Sequence, residues 1–469
     1  MASEEGVERF IDEAKVDAVL AAGQDRSAAH VREVLAKARE MHGLDDADVS
    51  VLMGISDPEL LGELFDAARF VKDTIYGRRL VLFAPLYVSN LCGNDCVYCA
   101  FRARNREVTR RALTQDEVAN EVRVLVEHGH KRVLLVAGES YPHEGFNYVL
   151  KCVETIYQVK VGRGEIRRVN VNVAPLEVEQ FKALKATGIG TYQLFQETYH
   201  RGTYARVHLA GKKRDFDWRV TAMDRAMQAG IDDVGIGVLF GLWDWRWEVL
   251  ALLQHIRHLE ARFGVGPHTI SVPRMEPAIG SDVASHPPKP VSDIDFRKLV
   301  AILRLAVPYT GIIMSTRETA NLRRETFALG VSQISAGSRT NPGGYEEEDA
   351  KKEFEAAQFQ VGDHRPLDEV VRDVASMGYI PSFCTGCYRL GRTGADFMDL
   401  AKPGDIKQHC DPNGLSTFME YLLDYASPET RAVGDALVDS VLAGMEGKPQ
   451  ATARKLVEAV RSGKRDVYV

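Results

Sequence analysis

The stretch "LVLFAPLYVSNLCGNDCVYCAFRARN", Leu80–Asn105, joins an apolar, β-branched run to a loop with Cys92, Cys96 and Cys99 at C-x3-C-x2-C spacing. An unbroken apolar run that passes straight into polar chain predicts a buried parallel strand ending at a site. Seven runs of the same kind follow: "RVLLVAGE", "RRVNVNVAP", "TYQLFQET", "DVGIGVLFG", "HTISVPR", "GIIMSTRE" and "SQISAG". Helical patterns such as "TQDEVANEVRVLVEHG", "DWRVTAMDRAMQAG" and "RWEVLALLQHIRHLEARFG" separate them, several closed by a glycine suited to a left-handed C-cap. Eight alternating units predict an α/β fold, a closed (β/α)8 barrel of the TIM type.

The domain expectation is an N-terminal helical extension over residues 1–75, the barrel over 76–380, and a helical, cysteine-bearing extension over 381–469 that binds a second cluster. Chemistry in such barrels gathers on the loops after the strands' C-terminal ends. Those ends carry the three-cysteine loop, Gly138-Glu139, Asn172, Gln196-Glu197, Ser315 to Glu318, and Ser338-Arg339. A net charge of -7 gives no global basic field for nucleic acid. The acidic, amphipathic start and the lack of a long apolar run predict a cytoplasmic protein without membrane contact.

Six of the seven cysteines fall into two groups, Cys92, Cys96, Cys99 and Cys384, Cys387, Cys410, while Cys152 alone reads as a small buried hydrophobe. Grouped cysteines in a large chain point to metal rather than disulfides. A structural zinc site closes with four ligands, whereas a 4Fe-4S cluster on three thiolates leaves one iron open. C-x3-C-x2-C with Tyr98 before the last cysteine, directly after the first barrel strand, resembles the radical S-adenosylmethionine (SAM) signature. That resemblance implies a 4Fe-4S cluster, SAM bound at its open iron, and a 5′-deoxyadenosyl radical. It also places Gly138 and Glu139 where the superfamily presents acceptors to the methionine amino group. Tyr98, Asn172, Gly235 and Gly237 are further candidates around the cofactor, although glycines in a strand equally mark tight packing. Glu197 would bond cofactor or substrate, or sit in a structural salt bridge.

The second group has C-x2-C-x22-C spacing and again lacks a fourth cysteine. A second cluster with an open iron is the favoured reading; a zinc site completed by His409 or Asp411 is the other. The last strand runs to the catalytic face and the following helix returns, so Cys384 emerges at the opposite mouth. Strands of about seven residues separate the two mouths by roughly 20 to 25 Å. Two clusters that far apart require a diffusible intermediate. His268 opens strand six at the same lower mouth, as iron ligand or structural residue. His200, His255 and His258 read as solvated or helix-face residues.

Together with "HKRVLLVAGE", "GIGTYQLFQETYHR", "GVGPHTISVPR", "GVSQISAGSRTNPGGY" and the C-terminal cysteines, the chain resembles the HydG family of FeFe-hydrogenase maturases over about residues 75 to 425. The resemblance implies a radical SAM carbon–carbon lyase that cleaves L-tyrosine to p-cresol and dehydroglycine. Dehydroglycine then yields carbon monoxide and cyanide at the second Fe-S cluster, which carries an additional iron held partly by His268. The implied product is an iron carbonyl–cyanide precursor of the hydrogenase active-site cluster. Implied partners are a low-potential electron donor such as ferredoxin or flavodoxin and other hydrogenase maturases.

A substrate carboxylate needs a cation, and Arg317 with Ser315 and Thr316 is the expected partner. Arg323 and Arg339 are rivals, and a structural Arg317–Glu318 pair is the alternative. Two other readings remain: a ThiH-type 2-iminoacetate synthase serving thiazole synthesis, which needs no second cluster, and a non-enzymatic Fe-S carrier or scaffold, which would not consume SAM.

Overall fold

A computed structural model of the chain describes residues 9–22, 25–347 and 355–469. Strands β1 (Arg79–Ser89), β2 (Arg132–Ala137), β3 (Arg168–Asn172), β4 (Tyr192–Glu197), β5 (Val234–Val238), β6 (Thr269–Ser271), β7 (Gly311–Met314) and β8 (Val331–Ser335) pair in parallel with their neighbours, and β8 returns to β1. The closed eight-stranded barrel is the expected one. Alternate residues of a strand face opposite sides, which explains the unbroken apolar runs. On β1, Leu80, Leu82, Ala84, Leu86 and Val88 are fully buried on the outer side against helices. Phe83, Pro85 and Tyr87 face the barrel interior.

A ninth strand, β9 (Ile380–Ser382), was not expected; the sequence places a helical extension there. β2 reaches down β1 only to Ala84, so the lower backbone of β1 keeps pairing capacity that β9 takes up through Arg79↔Ile380 and Val81↔Ser382. The helix Leu367–Ser376 carries the chain back from the upper face, and β9 sets Cys384 at the lower mouth beside the start of β1.

Four helices, Glu13–Ala21, Ala28–Arg39, Asp46–Met53 and Pro58–Tyr76, precede the barrel among the described residues. The first docks on the barrel helix Trp245–Phe263, where Trp247 donates to Asp17 at 2.9 Å, and the other three on the barrel helix Asp293–Ala306, where the Lys298 ammonium donates to the carbonyls of Met53 at 2.9 Å and Ile55 at 2.7 Å. No helix among the described residues is long and apolar enough to cross a membrane.

Three consecutive strands are entered through a basic doublet: Arg78-Arg79, Lys131-Arg132 and Arg167-Arg168. Strand alternation sends the two members to opposite faces. In the second and third doublets, the outward members Lys131 and Arg167 meet Glu420 of the long C-terminal helix Lys407–Asp424, at 3.0 Å and 2.6 Å. All three charges are buried. Burial pushes the Glu420 carboxyl up, but Arg167 and Lys131 outweigh it and hold it at about 2, below its ordinary 4.5.

Replacing Glu420 by Gln strands the buried Lys131 and leaves Arg167 only Asp466, at 3.3 Å, so Glu420→Gln is expected to cost about 3–5 kcal/mol in urea unfolding of the apo-protein. Because the folded-state value is depressed, this stabilisation is present above about pH 4.5 and is lost as pH falls toward 2. The gap between wild type and variant should therefore narrow in acid.

Candidate functional site

The upper mouth holds a cavity lined by Cys92, Cys96, Cys99, Tyr98, Gly138, Glu139, Asn172, Glu197, Ser315, Thr316 and Arg317. The cysteine loop is strapped to the chain after β4. Asp95 and Val97 donate their N–H groups to the carbonyls of Ala210 and Val207, and Cys99 closes a turn onto the Cys96 carbonyl at 3.1 Å. Asn94 bridges outward, its amide donating to Glu139 at 2.7 Å while its oxygen accepts from the Lys213 N–H at 3.0 Å. Gly138 is required where it stands: a Cβ would collide with the Leu91 carbonyl of the same loop.

Burial raises all three thiols, Cys99 to about 11. They become thiolates only when a bound cation supplies compensating charge. A loop that gathers three thiols on one wall of a cavity and has no fourth fits a cluster with an open iron.

Beside the thiol loop lies a buried charge network that the sequence reading missed. Lys213 donates to Glu197 at 2.6 Å, and Arg219 donates to Glu139 at 2.8 Å while standing 3.7 Å from Glu197. Burial pushes Glu139 up, yet Arg219 and Lys213 outweigh it and hold the carboxyl below its ordinary range. Lys213 and Arg219 come from the loop and helix after β4, whose charged residues look like an ordinary solvated stretch in sequence. Glu197 is thus in a salt bridge and lines the cavity as well.

Glu197 has φ 72°, in the left-handed region that costs a non-glycine residue about 1–3 kcal/mol. A register shift between Phe195 and Glu197 in the β4–β5 ladder turns its carboxylate toward Lys213. The next two residues are pinned by buried Glu248, which accepts from the Thr198 hydroxyl and from the Tyr199 N–H at 2.8 Å.

Tyr98 is buried on the cavity wall, its hydroxyl 2.8 Å from His208 Nε2. The Asn172 amide donates to the Gln193 carbonyl at 3.0 Å. Gly235 and Gly237 stand behind cavity-lining side chains: a Cβ at Gly235 would meet Gln193 and Thr269, and one at Gly237 would meet Phe195 and Ser271, which is the close packing that the sequence offered as the other reading.

Arg317 lies flat on Phe359, 3.3 Å from the ring centroid, and forms no ion pair among the described residues. Its alternative partner Glu318 is held by Arg274, at 3.0 and 3.1 Å through Nε. The rival Arg323 is fully buried and committed to Asp363 and the Ser335 carbonyl. The Ser315 hydroxyl accepts from the Arg317 N–H at 3.3 Å, and the Thr316 N–H donates to Ser335 at 3.0 Å. Glu276, missed in sequence because one acid in a loop carries no pattern, also lines the cavity. Burial, with the field of Glu318, pushes it up to about 7.

At the lower mouth, Cys384 follows β9, Cys387 sits on the short helix Gly386–Arg389, and Cys410 is in the first turn of Lys407–Asp424. Burial drives Cys410 up to about 12 with Cys387 and Cys384 adding to it, so the thiols stand within reach of one another's charge. Among the described residues no three His, Cys, Asp or Glu side chains are gathered as ligands of a single ion. A cubane places each cysteine on a different iron and asks for a wider triangle. His409 is taken by Arg392, at 3.2 Å.

The His268 ring packs against Phe397 at 4.4 Å, with Nε2 3.4 Å from the Tyr388 hydroxyl and Nδ1 buried without a partner. Burial lowers its pKa, keeping the imidazole neutral as a metal ligand must be. Cys152 is fully buried. Of the histidines read as solvated or helix-face residues, His255 and His258 lie on the helix Trp245–Phe263, His255 buried and 2.7 Å from the Tyr199 hydroxyl and His258 2.8 Å from Asp224.

Residues 86–253 match the Radical SAM superfamily, and residues 271–380 match the Biotin and Thiamin Synthesis associated domain. The chain is 33% identical to the 2-iminoacetate synthase of Escherichia coli (strain K12), over 74% of this chain and 88% of that protein. A crystal structure of HydG, a maturase of the [FeFe]-hydrogenase, superposes with TM-score 0.93 at 47% identity, covering 98% of this chain and 100% of that one. HydG from Carboxydothermus hydrogenoformans superposes with TM-score 0.84 at 39% identity, covering 96% and 99%. A 4Fe-4S cluster and SAM are what the superfamily match implies at the upper mouth.

Burial raises Glu248 to about 8, against the opposing hydrogen bonds from Thr198 and Tyr199. With its folded-state value raised, the stability contributed is full below the ordinary 4.5 and is lost as pH rises through about 8. Glu248→Gln should flatten that loss: thermal melts at about pH 5 and about pH 9 should differ less in the variant than in wild type.

Proposed function

The chain belongs to the HydG family of radical SAM proteins, and we propose that it is a tyrosine lyase that converts L-tyrosine to p-cresol and dehydroglycine. Dehydroglycine is then turned into carbon monoxide and cyanide at a second iron–sulfur cluster, for building the FeFe-hydrogenase active site. The observation that carries this reading is the pair of three-thiol groups at opposite mouths of one barrel. The interior between them offers a polar column: Asn172 and Asn170 on β3, Gln193 on β4, Thr269 on β6 and Gln333 on β8. Such a lining suits a small, polar intermediate.

Cys92, Cys96 and Cys99 would hold the upper cluster, which supplies the electron that cleaves SAM to the 5′-deoxyadenosyl radical. Gly138 and Glu139 lie next to that loop, placed to take the methionine end, with Tyr98 and Asn172 completing the wall. Arg317 offers the substrate carboxylate a guanidinium whose N–H groups are not spent on another acid, with Ser315 and Thr316 beside it. Glu276 gives the same cavity a carboxyl near neutrality, suited to taking a proton from the substrate ammonium. Glu197, fixed by Lys213, would anchor cofactor or substrate hydroxyl groups. Cys384, Cys387 and Cys410 would hold the lower cluster and His268 an additional iron. Electrons would come from a low-potential donor such as ferredoxin or flavodoxin in the cytoplasm, and the product would pass to other maturases. A 2-iminoacetate synthase of the ThiH type, supported by the E. coli relative, is the second reading; it would stop after the first cleavage.

Anaerobic reconstitution, then reductant, SAM and tyrosine, with p-cresol and carbon monoxide assayed together, separates these readings. Cys96→Ser should abolish both products. Cys384→Ser combined with Cys387→Ser should keep p-cresol and abolish carbon monoxide; carbon monoxide at the wild-type rate would refute the division of labour. Arg317→Lys, which loses the planar fork, should raise the KM for tyrosine roughly ten- to hundredfold.

A further inference from the structure

Arg79 is the inward member of the basic doublet that opens β1. Of the other two inward arginines, Arg168 donates to Asp233 at 3.2 Å with Tyr388 over its guanidinium. Arg132 donates to the Cys384 carbonyl at 2.7 Å, but like Arg79 it forms no ion pair among the described residues and its buried Nε has no partner. Arg79 is more than nine-tenths buried, takes part in no ion pair among the described residues, and its Nε lacks any acceptor. A buried guanidinium without an anion is among the costlier arrangements a fold can keep.

Its surroundings identify the missing anion. β9 pairs with β1 at Arg79↔Ile380, which brings the segment ending at Cys384 alongside. The stem of Arg79 passes under Gly414 of the helix Lys407–Asp424, where a Cβ would stand 3.3 Å from the arginine Cδ. Cys410 lies four residues earlier, on the same face of that helix. Burial opposes the arginine's charge, but Cys410, Cys384, Asp411 and Cys387 outweigh it.

We propose that Arg79 is the counter-ion of the lower thiol triad, a positioning residue whose guanidinium balances the negative charge of an iron–sulfur cluster on Cys384, Cys387 and Cys410. This rests on the two-cluster reading above. A fixed positive charge beside a cluster favours its reduced form and opposes loss of its thiolates. The same charge costs stability whenever the thiols are protonated and empty.

The test uses the full chain with Cys92, Cys96 and Cys99 replaced by alanine, so that spectra report the lower cluster alone. Arg79→Met is expected to melt higher than its parent as apo-protein. After reconstitution it should lose iron to a chelator roughly tenfold faster and show a more negative midpoint in an EPR-monitored redox titration. Arg79→Lys, which keeps the charge, should recover most of both effects. Equal chelation rates and equal midpoints in parent and Arg79→Met would overturn the proposal. A parent that forms no cluster with Arg79 intact would overturn the two-cluster reading itself, and the proposal with it.

Discussion

Strand β1 hydrogen-bonds to three neighbours, β8, β2 and β9, and the placement of both thiol groups depends on it. Its upper end closes the barrel and delivers the cysteine loop to the face where all the strands end. Its lower end, overhanging β2, accepts β9 and thereby ties the C-terminal cysteines to the opposite mouth. One stiff element thus fixes the separation of two chemical stations. A parallel barrel suits this because every crossover returns the chain to the same side, leaving the two mouths distinct.

Electrostatics divides the molecule in the same way. The upper mouth pairs its charges internally, with Glu139 and Glu197 against Arg219 and Lys213. The wall beside the thiol loop therefore balances its own charges, while Arg317 forms no ion pair among the described residues. At the lower mouth Arg79 forms no ion pair among the described residues, with Asp411 near enough to feel its charge. Burial raises Cys92, Cys96 and Cys99 at the upper mouth and Cys384 and Cys410 at the lower one, which disfavours their thiolates in the absence of a compensating positive charge.

The long helix Lys407–Asp424 couples these parts. Its first turn brings Cys410 to the lower thiol group, its middle admits Arg79 beneath Gly414, and its last turns fasten Glu420 to the outward members of two doublets. The basic doublets therefore have two tasks that follow from strand geometry alone. One member holds the C-terminal helices to the barrel, and the other faces the interior.

The eight apolar runs were legible as a barrel because burial on both faces writes a local pattern, and the cysteine groups were legible because their spacing is short. Equally local were Gly138, Ser315, Thr316 and Arg317, which follow strand ends. Lys213, Arg219, Glu248, Glu276 and Arg79 were not legible, since each matters through a partner far along the chain. What Gly235 and Gly237 make room for was not legible either, since the neighbouring strand decides it. The sequence by itself determined the barrel, the cysteine ligand candidates and the face on which the chemistry gathers. Only the tertiary structure decided β9, which charges are paired, and which buried arginines are left without an ion pair, because pairing depends on distances in space and periodicity records only faces.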